Sequence, residues 1–173
     1  GANVIISLDG ATSATYEHIR RGASFQEVIA RAHAAARQGI LEALNFTAMK
    51  ANYNEIPALF RLAKEIGVNK VTIIGLKPCR GFTQQTLSGK EYLKAIEFAC
   101  SSSYQTGVHF FFDEPFFNAV AKENGFPVRV PATDAGILDS STTACIFGEY
   151  LFIEPNGEVK PCSFAPMVLG NVS

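Results

Sequence analysis

The chain has 173 residues, of which 47% are hydrophobic and 18% are charged, a balance typical of a folded globular domain and not of a disordered chain. Its formal net charge of -1, without any block of like charges, argues against a nucleic-acid partner and against binding to an anionic membrane surface. No apolar run approaches the roughly 20 residues of a membrane-spanning helix, and the start lacks the pattern of a secretory signal, so we expect a cytoplasmic protein.

The first predicted elements alternate between strand and helix. A continuous apolar run at Val4–Leu8 predicts a strand that is covered on both faces. A short helix at Ser13–Arg21 follows it. A longer helix, extending to about Gln38, is predicted to begin at Ser24, because Glu27 lies three residues later in the spacing of a reciprocal N-terminal cap.

The same alternation continues through the middle of the chain. LEALNFTAM predicts the second strand, and the helix after it carries Pro57 in its first turn, where proline is tolerated. KVTIIGL predicts the third strand, an amphipathic helix runs through Tyr92–Cys100, and VHFFFD predicts the fourth strand. A short helix near Phe116–Asn124 completes the order β, α, β, α, β, α, β, α.

This order implies parallel strands joined by right-handed helical crossovers, in an open doubly wound sheet or in a barrel. Four units are too few to close an eight-stranded barrel, so we expect a partial α/β barrel whose first strand has an exposed edge. The exposed edge and the start at Gly1 suggest that an N-terminal portion is missing, and the edge and the apolar surface left by truncation make self-association plausible.

The C-terminal fifth of the chain has a different pattern. Residues 125–144 show no helical period and are interpreted as a connecting loop. Pro155, Asn156 and Gly157 then separate two short predicted strands, which indicates a small antiparallel β-hairpin. We therefore divide the chain into a partial barrel at 1–124, the loop at 125–144 and a C-terminal extension at 145–173.

The carboxyl ends of parallel strands are where α/β proteins bind ligands, so polar residues there are the first candidates for function. A role as a helix cap or turn former stays open for each of them. An aldolase-type lyase would need a lysine at a strand end, and Lys50 and Lys77 meet that requirement only weakly. The candidates are Ser7 and Asp9 after the first strand, Thr47 to Asn52 after the second, Leu76 to Arg80 after the third, and Asp113 with Glu114 after the fourth.

Four cysteines are scattered through the sequence, and two of them flank the predicted hairpin. Cys145 and Cys162 could be a disulfide, two unrelated thiols or part of a metal site, and the cytosolic composition favours the metal site. In the predicted hairpin, Cys162 lies opposite about Tyr150, which is five residues from Cys145. An extended connection of that length would separate the two sulfurs by on the order of 15 Å. A bend near Gly148 is therefore needed for a disulfide and for a shared metal alike. Cys100 lies on a predicted apolar helix face and is interpreted as a core residue.

With these segments assembled, the chain resembles the radical S-adenosylmethionine superfamily, in particular members with a C-terminal SPASM or twitch extension for auxiliary iron-sulfur clusters. The resemblance covers nearly the whole chain. Its most specific element is the spacing C-x11-G-x4-C from Cys145 to Cys162. The segments that carry it are SLDG, YEHIRRGASFQEVI, TAMKANYNEIPALFRLAKEIGV, LKPCRG, PNGEVKPC and LGNV.

The resemblance implies a partial barrel that binds S-adenosylmethionine at its mouth, in an enzyme whose 4Fe–4S cluster reduces the cofactor to a 5′-deoxyadenosyl radical. By position, Ser7, Asp9 and Arg20 would face the ribose and the carboxylate of the cofactor, with Arg21 as a rival to Arg20. The residues implied near its ribose or adenine are Thr47, Asn52 and Leu76. Cys145 and Cys162 would be two ligands of an auxiliary cluster.

The sequence also departs from the family pattern. The C-x3-C-x2-C loop that holds the reducing cluster is absent, as are the further cysteines that complete an auxiliary cluster. We therefore expect a fragment of a radical S-adenosylmethionine oxidoreductase or maturase that acts on a peptide or a small molecule, and that binds no cofactor and is inactive by itself. The alternative is a non-catalytic binding or scaffold module that is completed by a partner chain.

Overall fold

The structure is a computed structural model that describes residues 3–77, 83–113, 117, 120, 121, 123–126, 151–162 and 167–172. The chain forms two compact units, Gly1–Ser141 and Thr142–Ser173. The predicted short helix near Phe116–Asn124 falls partly outside the described residues, and most of the predicted loop lies outside them. The three-part division of the chain stays a prediction.

The first unit contains four strands and four α-helices among the described residues, in strict alternation after the first helix pair. Single turns of 3-10 helix at Tyr53–Glu55 and Thr83–Gln85 precede the third and fourth helices. The elements are β1 Val4–Ser7, α1 Ser13–Ile19, α2 Phe25–Arg37, β2 Leu41–Ala48, α3 Ile56–Ile66, β3 Lys70–Gly75, α4 Gly89–Thr106 and β4 His109–Phe112.

The four strands are parallel and lie in the order β1-β2-β3-β4. Right-handed crossovers between consecutive neighbours place every helix on the same face of the sheet, whereas a doubly wound sheet would require the strand order to reverse. A single hydrophobic core between the sheet and the helices agrees with this arrangement. The predicted partial α/β barrel is confirmed. The core includes Leu44, Phe46, Val71 and Ile73 from the strands and Ala32, Leu59, Phe60, Ala95 and Ile96 from the helices.

The other face of the sheet, which we call the open face, carries no helix in the part of the chain that the structure describes. Ile5 of β1 is 51% exposed, and Ser7 is also exposed. The prediction that the first strand is covered on both faces is therefore wrong. An apolar run of five residues predicts a strand, but it does not reveal that the helices pack on one side only.

Local signals at the helix ends account for most of the observed boundaries. The Ser24 hydroxyl accepts a hydrogen bond from the Glu27 N–H at 3.3 Å, which confirms Ser24 as the cap of α2. The Glu27 carboxylate contacts Arg31, and the reciprocal capping box forms at α4, where Ser88 and Glu91 occupy the same spacing. That second capping box was not recognised in the sequence.

The second unit contains a small antiparallel sheet formed by β5 Phe152–Ile153, β6 Glu158–Lys160 and β7 Gly170–Asn171. β5 and β6 are the two strands of the predicted hairpin, with Gly157 at φ +84° in the turn. β7 pairs with the other side of β6 and was not predicted, because two residues are too short to show a strand period.

Candidate functional site

The carboxylate of Asp9 joins three elements just beyond the carboxyl end of β1. Its Oδ2 atom accepts bonds from Arg20 Nε at 2.8 Å and from Arg20 Nη2 at 2.6 Å, while Oδ1 accepts the backbone N–H of Thr47 at 2.7 Å. Asp9 is 5% exposed, whereas the side chain of Arg20 is 40% exposed. The buried carboxylate therefore holds a half-exposed guanidinium in one position beside the ends of β1 and β2.

The side chain of Asn52 closes the turn after β2 and is 1% exposed. Its Nδ2 donates to the backbone oxygens of Asp9 at 3.0 Å and Thr47 at 2.8 Å, and its Oδ1 accepts the N–H of Met49 at 2.8 Å. These bonds use both amide hydrogens. Asn52 therefore fixes the two strand ends against each other. It lies at the N-cap position of the 3-10 turn Tyr53–Glu55, but its side chain makes no capping hydrogen bond there.

Glu55, the last residue of the 3-10 turn Tyr53–Glu55, fixes the start of α1. Its carboxylate accepts the backbone N–H of Ala11 at 2.6 Å and the hydroxyls of Thr12 at 3.0 Å and Thr15 at 2.5 Å. Acceptors at a helix N-terminus satisfy donors that have no partner within the helix. Sequence reasoning missed Glu55, because its partners lie 40 to 44 positions away and leave no local signal.

Gly10 lies between Asp9 and this helix start, and it is required there by close packing. A Cβ atom on Gly10 would lie 2.5 Å from the backbone nitrogen of Tyr16 and 2.8 Å from its Cα. These are backbone atoms, so they cannot move aside as a flexible side chain does. Glycine is therefore the residue that lets the turn after Asp9 approach α1.

A row of side chains crosses the open face one layer further from the strand ends. Ser7, Asn45, Thr72 and Phe111 are register partners on successive strands. The Oδ1 atom of Asn45 is buried and has no hydrogen-bond partner among the described residues. Sequence reasoning did not select Asn45, although a polar residue two positions before Thr47 in an apolar strand is a detectable signal.

The structure brings four of the six predicted cofactor-binding residues into one network, formed by Asp9, Arg20, Thr47 and Asn52. Ser7 lies at the end of β1 on the open face, and Leu76 follows β3 directly. Arg20, and not its neighbour Arg21, makes the bonds to Asp9. Their roles toward a cofactor stay predictions.

Of the two predicted metal ligands, Cys162 lies among the described residues. Cys145 lies outside the described residues, and Cys162 lies two residues after β6. No group of three or more His, Cys, Asp or Glu side chains that could hold a metal ion occurs among the residues that the structure describes. Cys100 packs against the core as predicted, and burial raises the pKa of its thiol.

The turn at Gly157 packs against Asn171 of the later LGNV segment. A Cβ atom on Gly157 would lie 2.6 Å from Asn171 Oδ1. Asn171 Nδ2 donates to the backbone oxygen of Asn156 at 3.2 Å, and the Val172 N–H donates to the Gly157 oxygen at 3.0 Å. The glycine therefore provides both the left-handed turn and the space for Asn171.

No helix in the described part of the chain is long and apolar enough to cross a membrane.

No protein-family model matches the sequence. Curated relatives are nevertheless found: an AdoMet-dependent heme synthase of Methanosarcina barkeri is 24% identical over 178 aligned positions, which cover 96% of this chain and 49% of the relative. A second AdoMet-dependent heme synthase, from Nitratidesulfovibrio vulgaris, is 28% identical and is covered to 47%. The chain thus spans about half the length of the curated relatives it matches.

Solved structures of Streptococcus suis SuiB share the fold. SuiB bound to its precursor peptide SuiA superimposes with a TM-score of 0.66 at 17% identity, covering 91% of this chain and 36% of SuiB. SuiB bound to S-adenosylmethionine gives a TM-score of 0.61 at 14% identity, covering 92% and 36%. The sequence similarity to AdoMet-dependent heme synthases and the SuiB fold of the one-sided parallel sheet both support the predicted resemblance to the radical S-adenosylmethionine superfamily.

Proposed function

We propose that this chain is the S-adenosylmethionine-binding part of a radical enzyme that modifies a peptide or a small molecule such as a tetrapyrrole. The observation that carries the proposal is the Arg20 guanidinium, held by Asp9 at the carboxyl end of the sheet and 40% exposed. Arg20 Nη1 has no hydrogen-bond partner among the residues that the structure describes, so this fixed cation offers N–H donors to a ligand carboxylate. When bound, S-adenosylmethionine supplies the reactive group that starts radical chemistry on the substrate.

The residues at the strand ends divide into two kinds in this proposal. Arg20 binds the cofactor carboxylate, while Ser7, Thr47 and Leu76 lie along its ribose and adenine. Asp9 and Asn52 act indirectly, since their side chains are used in bonds to Arg20, Thr47 and the neighbouring backbone. They keep the binding residues in place and limit the reorganisation that binding would cost.

The iron-sulfur part of the proposal rests on the cysteine spacing alone. The described residues do not contain a ligand set that fits a cluster. We assign Cys145 and Cys162 to an auxiliary 4Fe–4S cluster whose other ligands lie elsewhere in the parent enzyme, and we expect the chain alone not to cleave the cofactor. The relatives named heme synthase and the peptide-bound SuiB support the two substrate classes.

The sequence alone led us to expect a chain that binds no cofactor. Because Asp9 already holds Arg20 in place, we propose instead that the chain binds S-adenosylmethionine without cleaving it. Calorimetric titration of the purified 173-residue chain with S-adenosylmethionine tests this proposal. Saturable binding supports it, and an absence of heat with cofactor in large excess would contradict it. A second experiment treats the chain with iron, sulfide and a reductant and then measures 5′-deoxyadenosine. We expect no product, and the formation of product would overturn the expectation that the chain is inactive alone.

A second candidate function is a non-catalytic module completed by a partner chain. It is favoured by one observation: β1 is an edge strand, and its Ile5 side chain is 51% exposed. Such an edge offers unpaired backbone groups to another strand, from a partner or from a second copy. Light scattering after size exclusion at two concentrations separates these outcomes. Self-association through this edge gives a molecular mass that rises with concentration in wild type and stays at the monomer value in Ile5→Lys.

A further inference from the structure

The open face carries an unpaired amide that the cofactor site does not use. Asn45 Oδ1 is buried without a hydrogen-bond partner in the described part of the chain. Buried polar atoms in folded proteins nearly always have a partner, so each exception requires an explanation. One established explanation is a site whose partner arrives with a ligand.

The position of Asn45 on the sheet decides which side a ligand must approach. Leu44 and Phe46, its neighbours in β2, belong to the core under the helices. Because side chains alternate along a strand, Asn45 belongs to the open face. The residue as a whole is partly exposed although its Oδ1 is buried. The terminal torsion of asparagine is broad and roughly two-fold, so rotation can bring the oxygen to the exposed position.

The neighbours of Asn45 in the same register define the chemistry of the site. Ser7 lies on one side and Thr72 on the other, and both hydroxyls can donate or accept. Phe111 ends the row and adds an apolar ring, with Lys70 Nζ at 5.2 Å from its centroid. Ser7 is exposed, Asn45 and Phe111 are partly exposed, and Thr72 is 4% exposed. Neighbouring strands are about 4.8 Å apart, so an extended ligand crossing them would run along these four side chains.

This row is separate from the strand-end network. Thr47, which belongs to that network, lies two residues further along β2 than Asn45. Two residues of a strand span about 6.6 Å, the depth of one layer of side chains. Asn45 and Thr72 therefore lie one layer below the proposed cofactor, and Ser7, at the end of the row, borders both the cofactor and the row.

The geometry points to Asn45 as a substrate-recognition residue that accepts an amide N–H of a peptide substrate, with Ser7 and Thr72 as flanking hydrogen-bonding groups. An asparagine side chain is itself an amide, so its oxygen and nitrogen match the N–H and C=O of a peptide unit. The assignment of the substrate rests on the proposed function. The unpaired oxygen and the polar row are properties of this chain alone.

The test pairs one residue change with one change in the probe. Acetyl-triglycine methylamide offers N–H donors, and the matched peptide with sarcosine at each position lacks three of them. Binding is followed by NMR shifts of the Asn45 side-chain amide, or of the Ser7 and Thr72 backbone amides in Asn45→Leu. We expect wild type to bind the glycine peptide about 10-fold more tightly, and Asn45→Leu to lose that preference.

Two measurements, of peptide binding and of the melting temperature, can each contradict the inference. Equal binding of the two peptides by wild type, no binding of the glycine peptide, or a retained preference in Asn45→Leu would each overturn the inference. The second measurement needs no ligand: Asn45→Leu should raise the melting temperature, because it removes a buried atom without a partner. A lower melting temperature would show that Asn45 already has a structural partner and would overturn the inference too.

Asn69→Leu, which changes an exposed asparagine just before β3, controls for the added apolar side chain and should leave the peptide preference unchanged. Titration with S-adenosylmethionine is run on the same samples. Cofactor binding without peptide discrimination would remove only the role of Asn45. Peptide discrimination without cofactor binding would remove the proposed function and leave this site standing.

Discussion

The two carboxylate oxygens of Asp9 contact different partners, and Arg20 contacts only one of them. Both contacts of the guanidinium are to Oδ2, and Oδ1 is left for the backbone of Thr47. The same buried charge thus orients a surface cation and anchors the end of β2. Under the proposed function, stability and cofactor binding are therefore coupled at this carboxylate.

Asp9→Asn should reduce both properties. The neutral amide keeps the shape of the carboxylate, but it loses the charge and presents an N–H where Arg20 needs an acceptor. We expect a loss of about 2 kcal/mol in the free energy of unfolding, since hydrogen bonds to charged groups contribute in that range. Urea unfolding followed by circular dichroism measures the change.

The matched control is Glu27→Gln, which removes a carboxylate from the pair with Arg31. In that pair both side chains are largely exposed, at 71% for Glu27 and 80% for Arg31. Such pairs contribute below about 0.5 kcal/mol, so the control should unfold like wild type. Equal effects of the two changes would show that the Asp9 contacts contribute no more than a surface ion pair.

Gly10→Ala should destabilise the first unit by about 2 kcal/mol, the cost of forcing a methyl group into packed surroundings. The added Cβ would approach the Tyr16 backbone to 2.5 Å, so α1 has to move. The control is Gly89→Ala at the start of α4, where a Cβ meets nothing within 4 Å. Alanine in a helix is favourable, so the control should be neutral or slightly stabilising in the same urea experiment.

The sequence predicted the fold well wherever local patterns carry it. Gly39 and Gly67 end helices in the left-handed conformation, and the four strands lie within one or two residues of their predicted bounds. The exposure of Ile5 was not predictable, because it depends on which side all the helices pack. Local sequence patterns predict a strand, but they do not predict what packs against each of its two faces.

The sequence predicted which residues lie together at the candidate site, but it did not predict which contacts each of them makes. Asp9, Arg20, Thr47 and Asn52 do meet, because parallel strands bring their carboxyl ends to one edge. That Asn52 bonds to the backbone could not be inferred, since its partners are set by the distance between two loops. The choice of Arg20 over Arg21 likewise depends on the contact with Asp9 across 11 positions.

Gly157→Ala should open the sheet of the second unit. The alanine must adopt φ +84° and also displace Asn171, whose Oδ1 would lie 2.6 Å from the new Cβ. Hydrogen exchange at the Val172 N–H, which is bonded to the Gly157 oxygen, should become at least about 10-fold faster, the effect of a loss near 1.4 kcal/mol.

The matched control is Gly22→Ala in the first unit. Gly22 has nearly the same φ of +83°, but a Cβ there meets nothing within 4 Å. Comparing the losses in unfolding free energy separates the cost of the backbone conformation from the cost of the Asn171 contact. Equal losses at the two sites would show that Asn171 adjusts freely.

The start of α4 should depend on pH through Glu91. Its Oε2 accepts the backbone N–H and the hydroxyl of Ser88, each at 2.7 Å, and these bonds lower the pKa of Glu91 below its ordinary value of 4.5. Because the folded pKa is the lower one, the stabilisation is complete above the unfolded value and is lost as the pH falls through the folded value.

Amide exchange in the first turn of α4, normalised for intrinsic rates, should therefore be protected at pH 6 and less protected at an acidic pH below 4.5. Glu91→Gln removes the titrating group, so its first turn should show the same protection at both pH values. A pH dependence that survives in Glu91→Gln would assign the effect to another group.

Arg20→Lys tests whether the fixed guanidinium is what the cofactor binds. A lysine cannot reproduce the paired contacts of Nε and Nη2 with Asp9 Oδ2, so its charge would remain but its position would not. We expect S-adenosylmethionine to bind about 10-fold more weakly, equivalent to about 1.4 kcal/mol. Arg21→Lys, at the exposed neighbouring position, should bind like wild type in the same calorimetric titration. If Arg21→Lys weakens binding and Arg20→Lys does not, the roles of the two arginines are reversed, and the Asp9 network serves the fold alone.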